Sequence, residues 1–489
     1  MHISHNNKEK ILQFIISLLF FFCTYGILTS NHFALDTYFC CAYEQVNPNL
    51  QSGRWLGAII FALLNNNGIY AGNIQGILTI IHIILVSFSA SLLFWTVIEE
   101  TNNKNKYTNY GICGAVYLTF CNVFYLELFL FSENGLTMGL GILFCTLAIY
   151  SFLKYHNTLK GKLLSFVLLF LSLGIYQAFL GVFIPWGLII IFCNDMQTNK
   201  VRIKTILNII IIGGVASICN IVILKFLIRI GIANGSTRQP VLSLFHIFSN
   251  AKEILKHQKE IWISVYNFLP KGILIFIILL SLFAIWKTDF RKSILYSSGI
   301  LCCSIIVLFA AHLLTPDVWM PPRTIIGVFA IIASLLCAAI AITKKYKYIL
   351  SIIVILVICV NVIQIQKINA NHFASNRLDQ EYAKIIQKAI NDYESTSGNI
   401  IKYIAAVNDI KPTRFYEGIQ YVSHEINSRA YAVSWADVEI LNYYSKRNYI
   451  KIPMDKEIYN KYFKNKNWNY FNADKQLIFD NETLYWIKY

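Results

Sequence analysis

The sequence predicts an all-α polytopic membrane protein that ends in a soluble α/β domain. Of its 489 residues 56% are hydrophobic and 15% are aromatic, and the mean hydropathy of +0.52 is too high for an ordinary soluble protein. The apolar residues form runs long enough to cross a bilayer, and short clusters of Lys and Arg separate these runs. After residue 365 the composition becomes polar and tyrosine-rich, so we divide the chain into a transmembrane domain, 1–365, and a polar domain, 366–489.

Charge and cysteine content argue against two other classes of protein. The net charge of +16 does not indicate nucleic-acid binding, because the basic residues form no concentrated stripe beside aromatic residues. None of the 12 cysteines follows Cys359, so no disulfide framework is predicted for the polar domain. Cys40 and Cys41 lack the CxxC spacing of a metal or redox site, and we interpret them as packing residues.

The apolar runs predict about eleven transmembrane helices. Every short loop that this path places in the cytoplasm carries two or three Lys or Arg, whereas the outer loops at 31–73, 131–135 and 314–323 carry at most one each. The positive-inside rule therefore supports the same path. The predicted spans are 11–30, 74–98, 111–131, 136–153, two short helices within 163–193, 205–230, 272–286, 294–314, 324–342 and 349–365.

Three segments depart from simple spans. The apolar run 55–64 is too short to cross a bilayer and predicts an interfacial or re-entrant helix. The run 163–193 is too long for one span and predicts a hairpin of two short helices that meet at Tyr176 and Gln177. The polar segment 233–270 contains AKEILKHQKEIW, whose spacing is typical of an amphipathic interfacial helix.

The polar domain has the pattern of a small α/β module outside the membrane. AKIIQKAI has helical spacing, IKYIAAVN indicates a buried strand, and QLIFDNETLYWIKY indicates two strands joined by a DNET turn. The domain contains no nucleotide-binding glycine motif and no nucleophile elbow. Two roles remain open for it: binding or positioning of an acceptor, and a purely structural role.

The outer loop that follows the first span is the candidate catalytic segment. It reads NHFALDTYFCCAYEQVNPNLQSGRW and contains Asp36, Glu44 and Arg54 in a chain of which only 14% is charged. Carboxylates held at a bilayer surface usually have a function, although a solvated loop would also contain them.

Four further motifs accompany this loop in a fixed order. The loop ends in GRWLGAII, and SLGIYQAFL, MPPRTIIGVFA and a final LIFDNETLYWIKY follow. This arrangement resembles the phage-encoded serotype-converting O-antigen glucosyltransferases of the Gtr type. Members of that family often have an acidic pair early in the first loop, whereas here Asp36 is followed by Thr37.

The resemblance implies a polytopic glycosyltransferase of the GT-C type in the bacterial inner membrane. It would take glucose from undecaprenyl phosphate glucose and add it to the lipid-linked O-antigen on the periplasmic side, where the polar domain would also lie. The implied partners are these two lipids and the bilayer, with no nucleic acid. A lipid-linked donor agrees with the absence of a Walker loop and a DxD motif from the predicted cytoplasmic side, so we predict no cofactor and no metal.

Such a transfer requires a base for the acceptor hydroxyl and cations for the departing phosphate, because the transition state has oxocarbenium character. We predict Asp36 as the base, and Glu44 as either the base or a residue that orients the acceptor. Glu133 and Asp317 are the weaker carboxylate candidates, since both lie in short outer turns.

Basic and polar residues near the outer surface are candidates for binding the substrates. The guanidinium groups of Arg54 and Arg323 are able to form bidentate pairs with phosphate. Two alternatives remain open for the other candidates: they bind lipid phosphate or sugar, or they only contact headgroups or form a turn. These other candidates are Lys225, Arg229, Tyr176 and Gln177.

Other proteins that act on lipid-linked sugars share many of these features. A flippase or transporter would have similar spans, but the span pattern contains no internal repeat, and a long one-sided outer domain fits alternating access poorly. An O-antigen polymerase or ligase is a second alternative. Glucosylated glycan would identify the transferase, longer chains the polymerase, and neither product the flippase.

The predicted topology is tested by labelling cysteines from outside intact cells. We expect Gln380→Cys and Tyr470→Cys to react with a membrane-impermeant maleimide, and Lys160→Cys and Lys345→Cys to react only after permeabilisation. The parent chain, with its own cysteines, provides the background signal. Labelling at position 160 in intact cells would contradict the topology.

Overall fold

The computed structural model of the chain describes residues 5–43, 45–101, 105–189, 199–234, 243–288, 290–419 and 424–489. The helices of the described residues are α1 (His5–Tyr25), α2 (Thr37–Cys40), α3 (Val46–Gln51), α4 (Trp55–Asn66), α5 (Gln75–Thr101), α6 (Lys106–Phe120), α7 (Leu126–Leu130), α8 (Gly135–Tyr155), α9 (Leu159–Leu173), α10 (Leu180–Leu188), α11 (Asn199–Arg229), α12 (Leu244–Gln258), α13 (Ile273–Trp286), α14 (Phe290–Leu314), α15 (Gly327–Ile342), α16 (Lys347–Ser397), α17 (Asp437–Ser445), α18 (Lys456–Ile458) and α19 (Ala473–Gln476). The strands are β1 (Tyr403–Asn408), β2 (Ile450–Lys451), β3 (Leu477–Asp480) and β4 (Thr483–Lys488).

The predicted class is confirmed at a coarse level: the chain is a mostly helical membrane protein with a small C-terminal sheet. In the part that the structure describes, 7 helical segments are long and apolar enough to cross a bilayer, so the predicted count of about eleven is not confirmed. These segments are Asn7–Thr29, Gln75–Thr101, Ser132–Tyr155, Lys200–Arg229, Ser297–Leu314, Pro322–Ile342 and Lys347–Ser397. Of the four remaining predicted spans, 111–131, 272–286 and the first half of 163–193 form shorter helices, and residues 190–193 of the second half lie outside the described residues.

The predicted span 111–131 breaks where α6 ends, because Asn122 satisfies backbone groups that a continuous helix would pair. Its side-chain oxygen accepts hydrogen bonds from the backbone N–H groups of Phe124 (3.0 Å) and Tyr125 (2.9 Å). Its amide nitrogen donates to the carbonyl of Leu118 at 2.9 Å. Asn side chains compete with helical hydrogen bonds in this way, and the chain restarts as the short helix α7.

The first half of the predicted hairpin, α9, runs antiparallel to α8. The hydroxyl of Ser165 donates to the carbonyl of Ala148 at 2.9 Å, and that of Ser172 donates to the carbonyl of Gly141 at 2.7 Å. Higher residue numbers in α9 therefore pair with lower numbers in α8.

The second half, α10, runs back along the same helix. The ring of Phe179 packs on Gly141, and that of Phe183 lies 6.5 Å from the ring of Phe152. The chain thus reverses at residues 174–177, as predicted, at the level of Gly141. Gly141 lies about 9 Å along the helix axis from the start of α8 at Gly135.

Helix α16 connects the two parts of the chain. It has 51 residues, or about 76 Å, and it crosses the predicted domain boundary at 365 without a break. Leu350 and Val354 pack in the transmembrane core, whereas Ile386 and Ile390 pack in a second core beneath the sheet. The sheet has the order β2-β1-β4-β3, in which β1 is parallel to both its neighbours and β3 pairs antiparallel with β4. The predicted strands are confirmed.

The first outer loop packs against the polar domain. Phe33, Leu35 and Tyr38 belong to the second core, which the sheet and α16 also form. The side chain of Asn376 accepts a hydrogen bond from the backbone N–H of Phe33 at 2.7 Å and donates to its carbonyl at 2.8 Å. The loop that the sequence predicts to be catalytic is thereby fixed between the transmembrane helices and the polar domain.

Candidate functional site

The start of α4 docks onto the turn of the hairpin. The backbone N–H of Leu56 donates to the carbonyl of Gly174 at 2.9 Å. The carbonyl of Gly53 accepts hydrogen bonds from the side chains of Gln177 (3.2 Å) and Asn220 (3.3 Å). Gly53 has φ +72°, a backbone conformation that favours glycine because residues with a Cβ atom rarely adopt it. The GRW motif, the hairpin turn and α11 are therefore held together by satisfied backbone groups.

A cavity of about 560 Å³ opens beside this junction. Helices α11 and α14 form its apolar walls with Leu224, Val307 and Leu308. The hairpin turn and the loop before α15 contact each other, and both line the cavity. Its polar and aromatic lining consists of Ser52, Arg54, Tyr176, Gln177, Ser217, Asn220, His312, Thr315, Asp317, Trp319, Thr324 and Glu425.

Four of the residues predicted from the sequence meet in this cavity: Arg54, Tyr176, Gln177 and Asp317. The guanidinium of Arg54 lies 4.7 Å from the ring centroid of Tyr176, a cation–π contact that fixes its orientation. The side-chain amide of Gln177 donates hydrogen bonds to the carbonyls of Ser52 and Gly53. The side chain of Asp317 is exposed at the rim of the cavity. The cavity thus has a cation at the hairpin turn and a carboxylate at its rim.

Arg323 lies behind the wall of the cavity, between two carboxylates. Its guanidinium donates to Glu127 and, through the other terminal nitrogen, to Glu425 at 2.7 Å. Its backbone N–H donates to the second oxygen of Glu127 at 2.7 Å. The guanidinium also stacks between the rings of Phe131 (4.4 Å) and Trp319 (4.9 Å). The planar guanidinium suits a bridge between two carboxylates, because one terminal nitrogen donates to Glu127 and the other donates to Glu425.

The two glutamates that bind Arg323 were not predicted from the sequence. Glu127 had a usable signal, since it is a single carboxylate inside the predicted span 111–131, and ionisable residues inside a span are usually functional. Glu425 has no such signal, because it is one of many charged residues in the polar domain. Only the tertiary fold brings it to the cavity.

A strained segment supports the same region. Val265, Tyr266 and Asn267 have φ values of 47°, 49° and 63°, in the left-handed region. The hydroxyl of Tyr266 donates to the carbonyl of Met320 at 2.7 Å, and its ring lies 5.2 Å from that of His424. Burial lowers the pKa of His424. Backbone strain of this kind is typical of functional sites, and the hydrogen bond from Tyr266 holds the loop that leads to Arg323.

The predicted base lies elsewhere in the described structure. Asp36 is half-buried, and its carboxylate accepts a hydrogen bond from the indole N–H of Trp435 at 2.9 Å. Glu133 is 1% exposed and accepts a hydrogen bond from the hydroxyl of Thr37 at 2.9 Å. Asp36 and Glu133 thus lie near the loop under the polar domain, and neither is among the described residues that line the cavity. Glu44 lies outside the described residues.

The remaining predicted cations are on the outside of the helix bundle. Lys225 and Arg229 are exposed on α11, and the described lining of the cavity does not include them. The interpretation of Cys41 as a packing residue agrees with its environment, because burial raises the pKa of its thiol to about 12 and keeps it protonated.

The Glu127–Arg323 pair predicts a specific pattern of stability. Arg323→Met leaves the fully buried carboxylate of Glu127 without its cation, so we expect a loss of about 3 to 5 kcal/mol. Adding Glu127→Leu removes this uncompensated carboxylate and should restore at least half of that loss. Thermal unfolding of the purified proteins in detergent measures both effects. A double variant as unstable as Arg323→Met would contradict the account of a compensated buried charge.

Comparison with known families gives a match that covers most of the transmembrane domain. The family model described as Glucosyl transferase GtrII matches residues 25–336, nearly two thirds of the chain. The matched range includes Arg54, the hairpin turn and Arg323, whereas Glu425 and the sheet follow it. Neither the curated proteins nor the solved structures contain a match.

Proposed function

Since the chain belongs to the GtrII glucosyl transferase family and is therefore a glycosyltransferase, we propose that it transfers glucose from undecaprenyl phosphate glucose to the lipid-linked O-antigen repeat unit. In this proposal the reaction takes place on the periplasmic side of the bacterial inner membrane and converts the serotype of the lipopolysaccharide. The polar domain, residues 366–489, would lie in the periplasm and position the acceptor.

The composition of the cavity is the observation that supports a lipid-phosphate donor. Its polar lining includes Arg54 and Glu425, whereas Leu224 of α11 and Val307 and Leu308 of α14 form apolar walls. Other side chains of α11, including Ile218 and Val222, are exposed to the outside of the helix bundle. A sugar phosphate fits the polar part, and a prenyl chain fits walls that continue into a lipid-facing surface.

Each group in the cavity then has a proposed task. Arg54 binds the donor phosphate through its planar fork, and the cation–π contact with Tyr176 limits the entropy lost on binding. The side chains of Tyr176, Gln177 and Asp317 contact the sugar. Asp36 contacts the acceptor, because it lies where the first loop meets Trp435 of the polar domain.

The activity itself is tested with isolated membranes. Radiolabelled undecaprenyl phosphate glucose and lipid-linked O-antigen repeat units are incubated with membranes that contain or lack the protein. We expect label in the O-antigen only when the protein is present, and linkage analysis would identify the acceptor hydroxyl. Longer O-antigen chains without added glucose would instead identify a polymerase, and unmodified glycan would contradict transfer.

The proposed phosphate contact of Arg54 predicts a difference between two basic residues. Arg54→Lys keeps the charge but loses the fork, so we expect the donor KM to rise roughly tenfold. Lys225→Ala, on the exposed face of α11, should leave the kinetics unchanged and serves as the control. Initial rates at varied donor concentration measure the effect. If Lys225→Ala raised the donor KM and Arg54→Lys did not, the phosphate site would lie on α11.

A further inference from the structure

Glu425 is a carboxylate that both binds Arg323 and lines the cavity. Its carboxylate binds Arg323 at 2.7 Å, and its side chain, 16% exposed, also lines the cavity. Of the described lining residues, Asp317 and Glu425 are the carboxylates, and Asp317 stands at the exposed rim. A carboxylate that accepts a proton from a substrate hydroxyl must reach that hydroxyl, so geometry favours Glu425 over residues outside the lining.

An incoming anion would displace Glu425 from Arg323 more easily than it would displace Glu127. Glu127 is 0% exposed and accepts from both the guanidinium and the backbone N–H of Arg323, so it holds the arginine in place. Glu425 accepts from one terminal nitrogen and faces the cavity. An anion that enters the cavity would therefore compete with Glu425 for this nitrogen. A phosphate oxygen is the acceptor that best fits an arginine nitrogen released in this way.

We propose that the donor phosphate replaces Glu425 on Arg323, and that the released Glu425 is the general base of the transfer. This inference rests on the proposed function. The acceptor oxygen forms a bond to C1 of glucose while the bond from C1 to the phosphate oxygen breaks. The bonding electron pair leaves with the lipid phosphate, and the acceptor proton moves to the Glu425 carboxylate. Arg323 joins Arg54 on the phosphate as it gains negative charge, since the hairpin turn beside Arg54 contacts the loop that contains Arg323.

The exchange couples the leaving group to the base. While Glu425 is paired with Arg323, one of its carboxylate oxygens is occupied by the guanidinium. When a phosphate oxygen takes that nitrogen, this carboxylate oxygen becomes available to an acceptor hydroxyl in the cavity that Glu425 lines. Release of the base therefore follows binding of the donor.

The structure also contains a small space for a water molecule beside Glu425. A second cavity of about 10 Å³, enough for one water molecule, is lined by Glu425, His372 and Asn427. Asn427 is 2% exposed and His372 is 4% exposed. In the described part of the chain, the amide atoms of Asn427 and Nε2 of His372 have no hydrogen-bond partner. A water in this cavity would satisfy them and contact Glu425, and buried polar groups generally require such partners.

The proposal is tested with Glu425→Gln, which keeps the shape of the side chain and removes its negative charge. We expect kcat to fall at least 10²-fold, because the base is lost. The affinity for undecaprenyl phosphate should rise several-fold, because glutamine competes weakly for Arg323. A residue with a merely structural role would not combine slower turnover with tighter binding. Tight binding also shows that the variant is folded.

Two matched variants complete the test. Glu417→Gln, at an exposed glutamate of the same domain, should leave both constants unchanged. Asp36→Asn should raise the acceptor KM and retain most of kcat. If Glu425→Gln kept kcat within threefold, or bound undecaprenyl phosphate more weakly than the parent protein, the proposal would be overturned. Absence of transfer by the parent protein would instead overturn the proposed function.

Discussion

The buried charge of Arg323 is the constraint on which the arrangement of the site depends. A guanidinium removed from water must be compensated, and here two carboxylates from distant parts of the chain provide the charge. Glu127 comes from a short helix inside the transmembrane core, whereas Glu425 comes from the polar domain. The same ion pairs therefore close the wall of the cavity and connect the polar domain to the membrane helices. A change in the partners of Arg323 would alter both at once.

A second constraint is the requirement that backbone groups inside a bilayer find partners within the protein. The hairpin turn leaves carbonyls that no helix satisfies, and the first outer loop supplies donors such as the N–H of Leu56. In return, side chains near the turn bind the loop carbonyl of Gly53. Non-helical backbone at this depth is stable only because the two motifs meet, and the cavity lies beside the junction.

Some of these features could be predicted from the sequence and others could not. The hairpin turn and the β3–β4 pair follow from local patterns, namely an apolar run of the wrong length and a turn between two alternating strands. The end of α6 was missed because hydropathy treats Asn122 as one polar residue and does not register that its side chain replaces helical hydrogen bonds. The contact of Glu425 with Arg323 was missed because it joins residues 102 positions apart in sequence, which no local pattern encodes. Asp36 was chosen for its place in an acidic loop, and its role as the base stays a prediction. The loop pattern does not determine that its carboxylate lies beside Trp435 of the polar domain.

A structure of the protein with undecaprenyl phosphate glucose bound, determined by electron cryo-microscopy in lipid nanodiscs, would examine the exchange at Arg323. The account predicts phosphate density within hydrogen-bond distance of Nη2 of Arg323, with the Glu127 pair intact and the Glu425 carboxylate turned toward the sugar. Phosphate density elsewhere in the cavity, with the Arg323–Glu425 pair unbroken, would contradict it.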